Sequence, residues 1–535
     1  MTGLTSDVLP LLPALLPLLG VVVVLVADLV TPSLRRVPYA VATVAAVGGA
    51  VAAASGTRLA PGEARATFCI DSGMPTTVER VSTLRCFWVA DSLTSTLQLA
   101  ACLAAVVCLA LAWPGSVAPP PAPSLRPSPA SSAAPAGVAR EPVEATLLLG
   151  ALAGTVVVAA SRDVGTWLVA LELATLPVVV LVALAGSRTA VAGAVQLLVT
   201  SLASFAVLTL GVALWFLATA SPFLTADVAV GVAAEAGGAG GSAAAPTRGL
   251  LALAVVLLLA GLGFKLSLAP FHAWTPTAYA GSRIAVATLL ATVSKIAALA
   301  ALLVVLRAVA VLGAPGLLVV GLLGVLSMTL GNVVALRQDD VVRLLAWSTV
   351  AQAGWVVLPL VSVSGAGTRA AAGYLLSYVV ATLVAFAVVA ATVRELGPAG
   401  RRLSAYGGLW QRRPWRAGAL AVALTSLAGL PPGVVGLVGK VVALRPVVAG
   451  GWLWLAVLAA ANAVLGVAVY LRWLRPVLTS GARGGSTGAQ QAAAEAPDGV
   501  GPDPRAVALA LAAGTAVLVA VSVQPDLVFG PLSGG

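Results

Sequence analysis

Three lysines, each set in an apolar run, carry most of the chemistry legible in this sequence: Lys265 in GLGFKLSLAP, Lys295 in LLATVSKIAALA and Lys440 in GVVGLVGKVVAL. The chain has 30 basic residues, and all the others are Arg. A GC-rich coding style replaces Lys with Arg wherever either serves, so positions that keep Lys are informative. Arginine stays charged in proteins, whereas a buried lysine can give up its proton. A lysine in mid-helix costs roughly 2.5–3.5 kcal/mol on membrane-insertion scales. Three such sites suit groups that take up and release a proton. Snorkelling near a helix end is the competing reading. It fits Lys265 and Lys440 in part, because helix breakers lie close by, and fits Lys295 poorly.

Glu172, in VGTWLVALELATLPVVVLVAL, is the one acidic residue central to a span. A lone carboxylate in that setting is neutral or paired, and Lys265 is its natural partner. A neighbouring carboxylate raises the proton affinity of an ammonium and its withdrawal lowers it, so such a pair can act as a switch. A static ion pair between helices is the alternative. The segment PFHAWTPTAYAGS (270–282) is too polar for a span. His272 within it can relay protons near neutral pH or serve as a hydrogen-bonded structural residue at a helix entry. Trp274 and Tyr279 read as interfacial anchors.

The elements that must hold these residues are apolar helices. Of 535 residues, 60% are hydrophobic and only 9% charged, and mean hydropathy is +1.04. A soluble domain carries about 25% charged residues. Apolar runs recur along the whole chain, which predicts an all-α polytopic membrane protein. Fourteen spans are expected near 8–30, 37–54, 88–112, 144–160, 164–185, 190–219, 249–268, 284–310, 314–335, 341–360, 370–394, 418–443, 452–474 and 505–523. The opening stretch lacks a basic n-region, so no signal peptide is expected.

Net charge is +11. It is not a nucleic-acid signature, because the Arg residues lie at helix ends, where they report topology. Counted over alternate loops, eighteen Arg fall on one side and nine on the other. Positive-inside bias then puts both termini outside. Cys102 and Cys108 lie in an apolar helix and read as packing residues. Cys69 and Cys86 flank a polar insert on the outer, oxidising side, where a disulfide is allowed; two free thiols are the alternative. No multi-Cys cluster is present, so an iron–sulfur centre on this chain is not expected, and a single His does not make a metal site.

Spans seven and twelve are interrupted in matching ways. Span seven ends in GLGFKLSLAPF, and span twelve carries AGLPPGVVGLVGK. Broken helices with a buried cation at corresponding places suggest two inverted five-helix repeats, and freed backbone groups at each break can hold water or ions. The expected organisation is residues 1–113 (spans one to three with the external insert), 114–143 (a Pro/Ala-rich cytoplasmic loop), 144–310 (first repeat), 311–475 (second repeat) and 476–535 (linker and last span). A Gly/Ala-rich loop is expected at 232–247.

Several of these segments in combination resemble a known family. PFHAWTPTAY followed by LLATVSKIA, GNVVALRQDDVVRLLAWSTVAQAGW (331–355) and SLAGLPPGVVGLVGK (426–440) resemble the antiporter-like membrane subunits of respiratory NADH–quinone oxidoreductase, complex I. The HxWTP form, SKIA and LELATLP (171–177) are closest to the subunit N branch. The resemblance covers roughly residues 144–475. It implies a Glu–Lys pair at Glu172 and Lys265, a central Lys at Lys295 and a terminal Lys at Lys440, together forming one proton channel driven by quinone reduction elsewhere. It implies no cofactor on this chain, with NADH, FMN, iron–sulfur clusters and quinone bound by partner subunits. It also implies other complex I membrane subunits and the lipid bilayer as partners, and a bacterial inner-membrane location. No nucleic-acid partner is expected.

Four positions depart from the family pattern: Thr277 stands where Asp is usual after WTP, Ala192 and Gln196 where Glu and Lys are common, and Gln352 where His is common. Gln352, Thr349 and Ser348 can still hold a water wire by hydrogen bonding. The alternatives are a subunit of a multi-subunit cation/proton antiporter, a subunit of a related membrane hydrogenase, or a structural scaffold.

Overall fold

A computed structural model describes residues 7–60, 62–71, 84–115, 140–224, 244–309, 313–479 and 504–533. Most of the expected loop at 114–143, most of the Gly/Ala-rich stretch and most of the linker before the last span lie outside these residues. Among the described residues, thirteen helices are long and apolar enough to cross a membrane. They are Leu9–Val30, Val37–Ala54, Ser92–Ala112, Arg140–Ala160, Val164–Ala183, Arg188–Thr219, Arg248–Leu266, Ile284–Leu306, Gly316–Ala335, Val341–Ser362, Gly365–Arg401, Leu453–Leu478 and Arg505–Val523.

The remaining expected span, 418–443, consists of two shorter helices, Pro414–Ala428 and Val434–Ala449. Neither alone has the ~20 residues that a bilayer requires. Pro431 and Pro432 supply no backbone donor between them, and Gly429 adopts φ +80°, which costs a glycine little. This broken element completes the fourteen expected spans, and we number them in chain order.

Interruptions are more widespread than the sequence suggested. Span seven stops at Leu266, Ser267 has φ +65°, and the chain resumes as a helix only at Trp274–Gly281. Span five divides at Ala174–Thr175 into Val164–Leu173 and Leu176–Ala183, with Pro177 in the first turn of the second piece. Span eight divides at Thr292 into Ile284–Ala291 and Val293–Val309. Span four presses on the break in span five. A Cβ on Gly154 would stand 2.7 Å from the Ala170 carbonyl oxygen, so only glycine allows that approach.

Spans eight, ten and eleven form the interior. In each, about nine-tenths of the best apolar window is buried, against a third for spans one, six and nine. Helices apolar on every side are stable only when surrounded, so side chains on these three spans meet protein rather than lipid.

The polar insert forms an antiparallel hairpin, Ala64–Asp71 (β1) with Leu84–Asp91 (β2). Cys69 lies opposite Cys86, and the two are joined by a disulfide. Asp91 then caps span three by accepting from the Thr94 amide. Trp88 on β2 donates its indole N–H to the Pro10 carbonyl, tying the hairpin to span one.

Candidate functional site

Each of the four sequence-predicted charges lies beside a helix interruption or reaches back to one. Glu172 sits in the last turn before the break in span five, and Lys265 in the last turn before the break in span seven. Lys265 Nζ donates to Glu172 Oε1 at 2.9 Å, to Thr175 Oγ1 at 2.7 Å and to Ser201 Oγ at 3.5 Å. The ammonium therefore has a partner for each of its three donors. Both members are shielded from solvent, with side chains 6% and 13% exposed. Burial of that degree is tolerable for a charge only when it is paired and hydrogen-bonded.

Lys295 begins one turn beyond the break in span eight. Its Nζ donates to the Lys265 carbonyl at 3.1 Å and to Ser267 Oγ at 2.6 Å, and lies 4.8 Å from the centre of the Trp274 ring. Thr275 Oγ1 in turn donates to Ser267 Oγ at 2.7 Å. The carbonyl is one that span seven leaves without a helical partner when it stops at Leu266. Such a helix C-terminus carries partial negative charge and favours a cation.

Lys440 repeats this arrangement in span twelve. From the second half-helix its Nζ reaches back to the Leu427 and Ala428 carbonyls at 3.1 and 2.6 Å, at the end of the first half-helix. The Trp355 ring lies 5.5 Å away. Lys440 is buried, and among the described residues neither it nor Lys295 forms an ion pair with a carboxylate.

Ser348, Thr349 and Gln352 line one face of span ten, where three tyrosines join them. Ser348 Oγ and Tyr470 OH are 2.6 Å apart, Thr349 Oγ1 and Tyr378 OH 2.9 Å. Gln352 Nε2 donates to Tyr470 OH at 2.8 Å and to the Leu427 carbonyl at 3.3 Å, and Gln352 Oε1 accepts from Tyr374 OH. The Leu427 carbonyl thus joins the cluster to Lys440. A cavity of about 10 Å³ lies among Gln352, Tyr374, Tyr378 and Ser426, near the smallest space that holds one water.

Sequence reasoning missed these tyrosines. The signal was available: the chain has six Tyr, and Tyr374 and Tyr378 stand four apart on one helix face. It also missed a half-buried pair between spans four and eight, where Arg283 Nη1 meets the buried Glu144 Oε2 at 2.5 Å.

Trp274 and Tyr279 are not interfacial anchors: both are buried. Trp274 donates to the Phe264 carbonyl at 3.1 Å, packing the second half of span seven against the first. The polar segment around them folds inward because the Trp274 indole and the Thr275 and Thr277 hydroxyls find partners there. His272, in the break of span seven, is half-buried, with its ring 5.1 Å from that of Trp347. Two of the departing positions meet each other, as Thr277 Oγ1 donates to Gln196 Oε1 at 2.6 Å. Ala192 and Gln196 line an open cavity of about 760 Å³ along span six. Among the described residues no cluster of His, Cys, Asp and Glu is suited to a metal.

A many-span helical bundle in which buried amines occupy the carbonyl ends of broken helices defines an antiporter-like membrane protein. The chain belongs to the NADH:quinone oxidoreductase/Mrp antiporter membrane family, whose sequence profile matches residues 161–466. The NADH-quinone oxidoreductase subunit N of Salinispora tropica is 37% identical over 484 residues, covering 88% of this chain and 84% of that protein. A chain of respiratory complex I from Thermus thermophilus aligns with a TM-score of 0.70 at 27% identity, covering 98% of this chain and all of that one. A chain of the Mrp complex from a Dietzia species has the same fold, with a TM-score of 0.73, 20% identity and coverage of 99% and 97%.

Proposed function

We propose that this chain is the proton-translocating membrane subunit of a bacterial NADH–quinone oxidoreductase, coupling quinone reduction elsewhere in the complex to proton transfer through its buried lysines. The observation that carries the reading is the contact series Glu172–Lys265–Lys295, in which each amine has a defined partner inside the bundle. When Glu172 and Lys265 are together, the carboxylate favours the ammonium; when they separate, Lys265 is inclined to release its proton. Ser267, which accepts from Lys295 and from Thr275, is the first hydroxyl on the way out. The second half of span seven packs against span ten. There the buried Tyr279 hydroxyl, which has no hydrogen bond of good geometry, lies within interaction range of Thr349 and Tyr378. From these the hydroxyl cluster leads through Gln352 and the Leu427 carbonyl to Lys440. NADH, FMN, iron–sulfur clusters and quinone belong to partner subunits in this reading. The chain lies in the bacterial inner membrane beside other complex I subunits, with both termini outside.

Substitution Lys295→Met in the assembled complex tests this. Coupled quinone reductase activity is expected to fall at least about tenfold, toward the roughly 10²-fold or more that a positioned proton-transfer group supplies. Lys295→Arg is expected to fail as well, because arginine does not release its proton. Normal proton pumping in the Met variant would overturn the reading. The fold shared with the Mrp complex favours a second reading, a cation/proton antiporter subunit without redox coupling. Proteins that co-purify in mild detergent, and a requirement for NADH, separate the two.

A further inference from the structure

A basic cavity away from the lysines lies where the last turns of span eleven, the first turn of span twelve and the first turns of span fourteen meet. Its volume is about 310 Å³, and its walls divide by chemistry. One side carries Arg394, Arg413 and Arg416 together with Glu395. The other is apolar, formed by Val507, Ala508 and Leu511 on successive turns of one face of span fourteen. Glu395 holds two of the arginines, Arg413 Nη2 at 3.1 Å and Arg416 Nη1 at 2.6 Å. Three guanidinium groups against one carboxylate leave the cavity with a surplus of two positive charges. Trp415 stands at its rim, 60% exposed, an amphipathic ring of the kind enriched at headgroup depth.

We propose that this cavity binds the headgroup of an anionic phospholipid, its phosphate on the arginines and its acyl chains along span fourteen. The surplus charge calls for an anion. The apolar wall that shares the cavity with the arginines calls for one that carries a hydrocarbon tail, which a free phosphate lacks. All three helix ends lie at the same end of the bundle, and the connection between spans eleven and twelve holds Arg402, Arg412 and Arg413. Basic pockets between spans on the positively charged side of a membrane protein recognise such headgroups. Arg413 and Arg416 each give Glu395 one nitrogen, so the rest of each guanidinium fork remains to meet phosphate oxygens.

The test uses the full chain, purified in mild detergent and placed in nanodiscs of phosphatidylcholine with a minor fraction of cardiolipin. Retained lipid is measured by native mass spectrometry during stepwise delipidation. The wild-type protein is expected to keep cardiolipin in preference to phosphatidylcholine, and millimolar inorganic phosphate is expected not to displace it. The double variant Arg413→Gln, Arg416→Gln should lose roughly fivefold in retention for each arginine removed. Glu395→Gln should retain more, because a competing acceptor is gone. Ala508→Trp fills the apolar half, leaves every charge in place and should also lose the lipid; together with Glu395→Gln it decides the matter if the double variant does not fold. Equal retention by wild type and these variants would overturn the proposal. So would displacement by inorganic phosphate, or release of a co-purified subunit by the arginine variants with lipid unchanged.

Discussion

The two broken spans solve one problem with different chemistry. At each, a half-helix ends inside the bundle and a lysine donates to its terminal carbonyls, Lys295 from span eight at the first break and Lys440 from the other half of the same span at the second. Around the break in span seven the next neighbour is a full charge: Lys265 is tied to Glu172, and the Lys265 carbonyl receives Lys295. Around the break in span twelve the neighbours are neutral, an amide and hydroxyls from Gln352, Tyr374, Tyr378, Tyr470, Ser348 and Thr349. An ion pair holds its proton until its geometry changes. Hydroxyls and an amide bias no protonation state, but they donate and accept at once. In the proposed reading the first region gates a proton and the second conducts one.

The largest effect should come from removing the gate. Glu172→Gln leaves Lys265 with neutral partners only, and breaking a buried pair from one side costs about 3–5 kcal/mol if the survivor stays charged. The amine escapes that cost by losing its proton, so proton pumping should fall about tenfold or more while the subunit still assembles. Pumping at the wild-type rate would erase the distinction between the regions. Next in size is the converse change. Gln352→Glu makes the second region resemble the first by placing a carboxylate near Lys440, and a neighbouring opposite charge shifts a titration by about 1–3 pH units. A several-fold loss of turnover with a displaced pH profile is expected; an unchanged profile would mean that Gln352 does not influence Lys440.

Smaller again is the connection between the regions. Tyr279→Phe deletes a buried hydroxyl that makes no good hydrogen bond, so thermal stability should hold or rise while turnover drops a few-fold. Full turnover would show that protons pass elsewhere. The smallest effect concerns His272, whose ring packs against Trp347. Pumping by His272→Gln should be near normal; a loss as large as that of Glu172→Gln would put the imidazole on the proton path.

The chain made its charges legible and hid much of their scaffolding. Lysine in an arginine-rich sequence, set in apolar surroundings, marks itself, and a lone membrane carboxylate such as Glu172 demands a partner. The breaks in spans seven and twelve announced themselves through Pro and Gly. The break in span eight has neither residue. Thr288 and Thr292 instead bond back to carbonyls four residues earlier, a local competition that bends helices and leaves little trace in a hydropathy pattern. In span five Pro177 was in plain view, but only as part of a motif. Trp274 and Tyr279 were misread because aromatic residues beside a polar stretch mimic an interfacial belt; only tertiary packing shows that the stretch turns inward. Tyr470 and Gln352, 118 residues apart, are brought together by the fold alone.

Residue 265 offers its amine to one neighbour and its own peptide oxygen to another. A twist of that single backbone unit therefore disturbs two proton-holding sites together, with no intermediary between them.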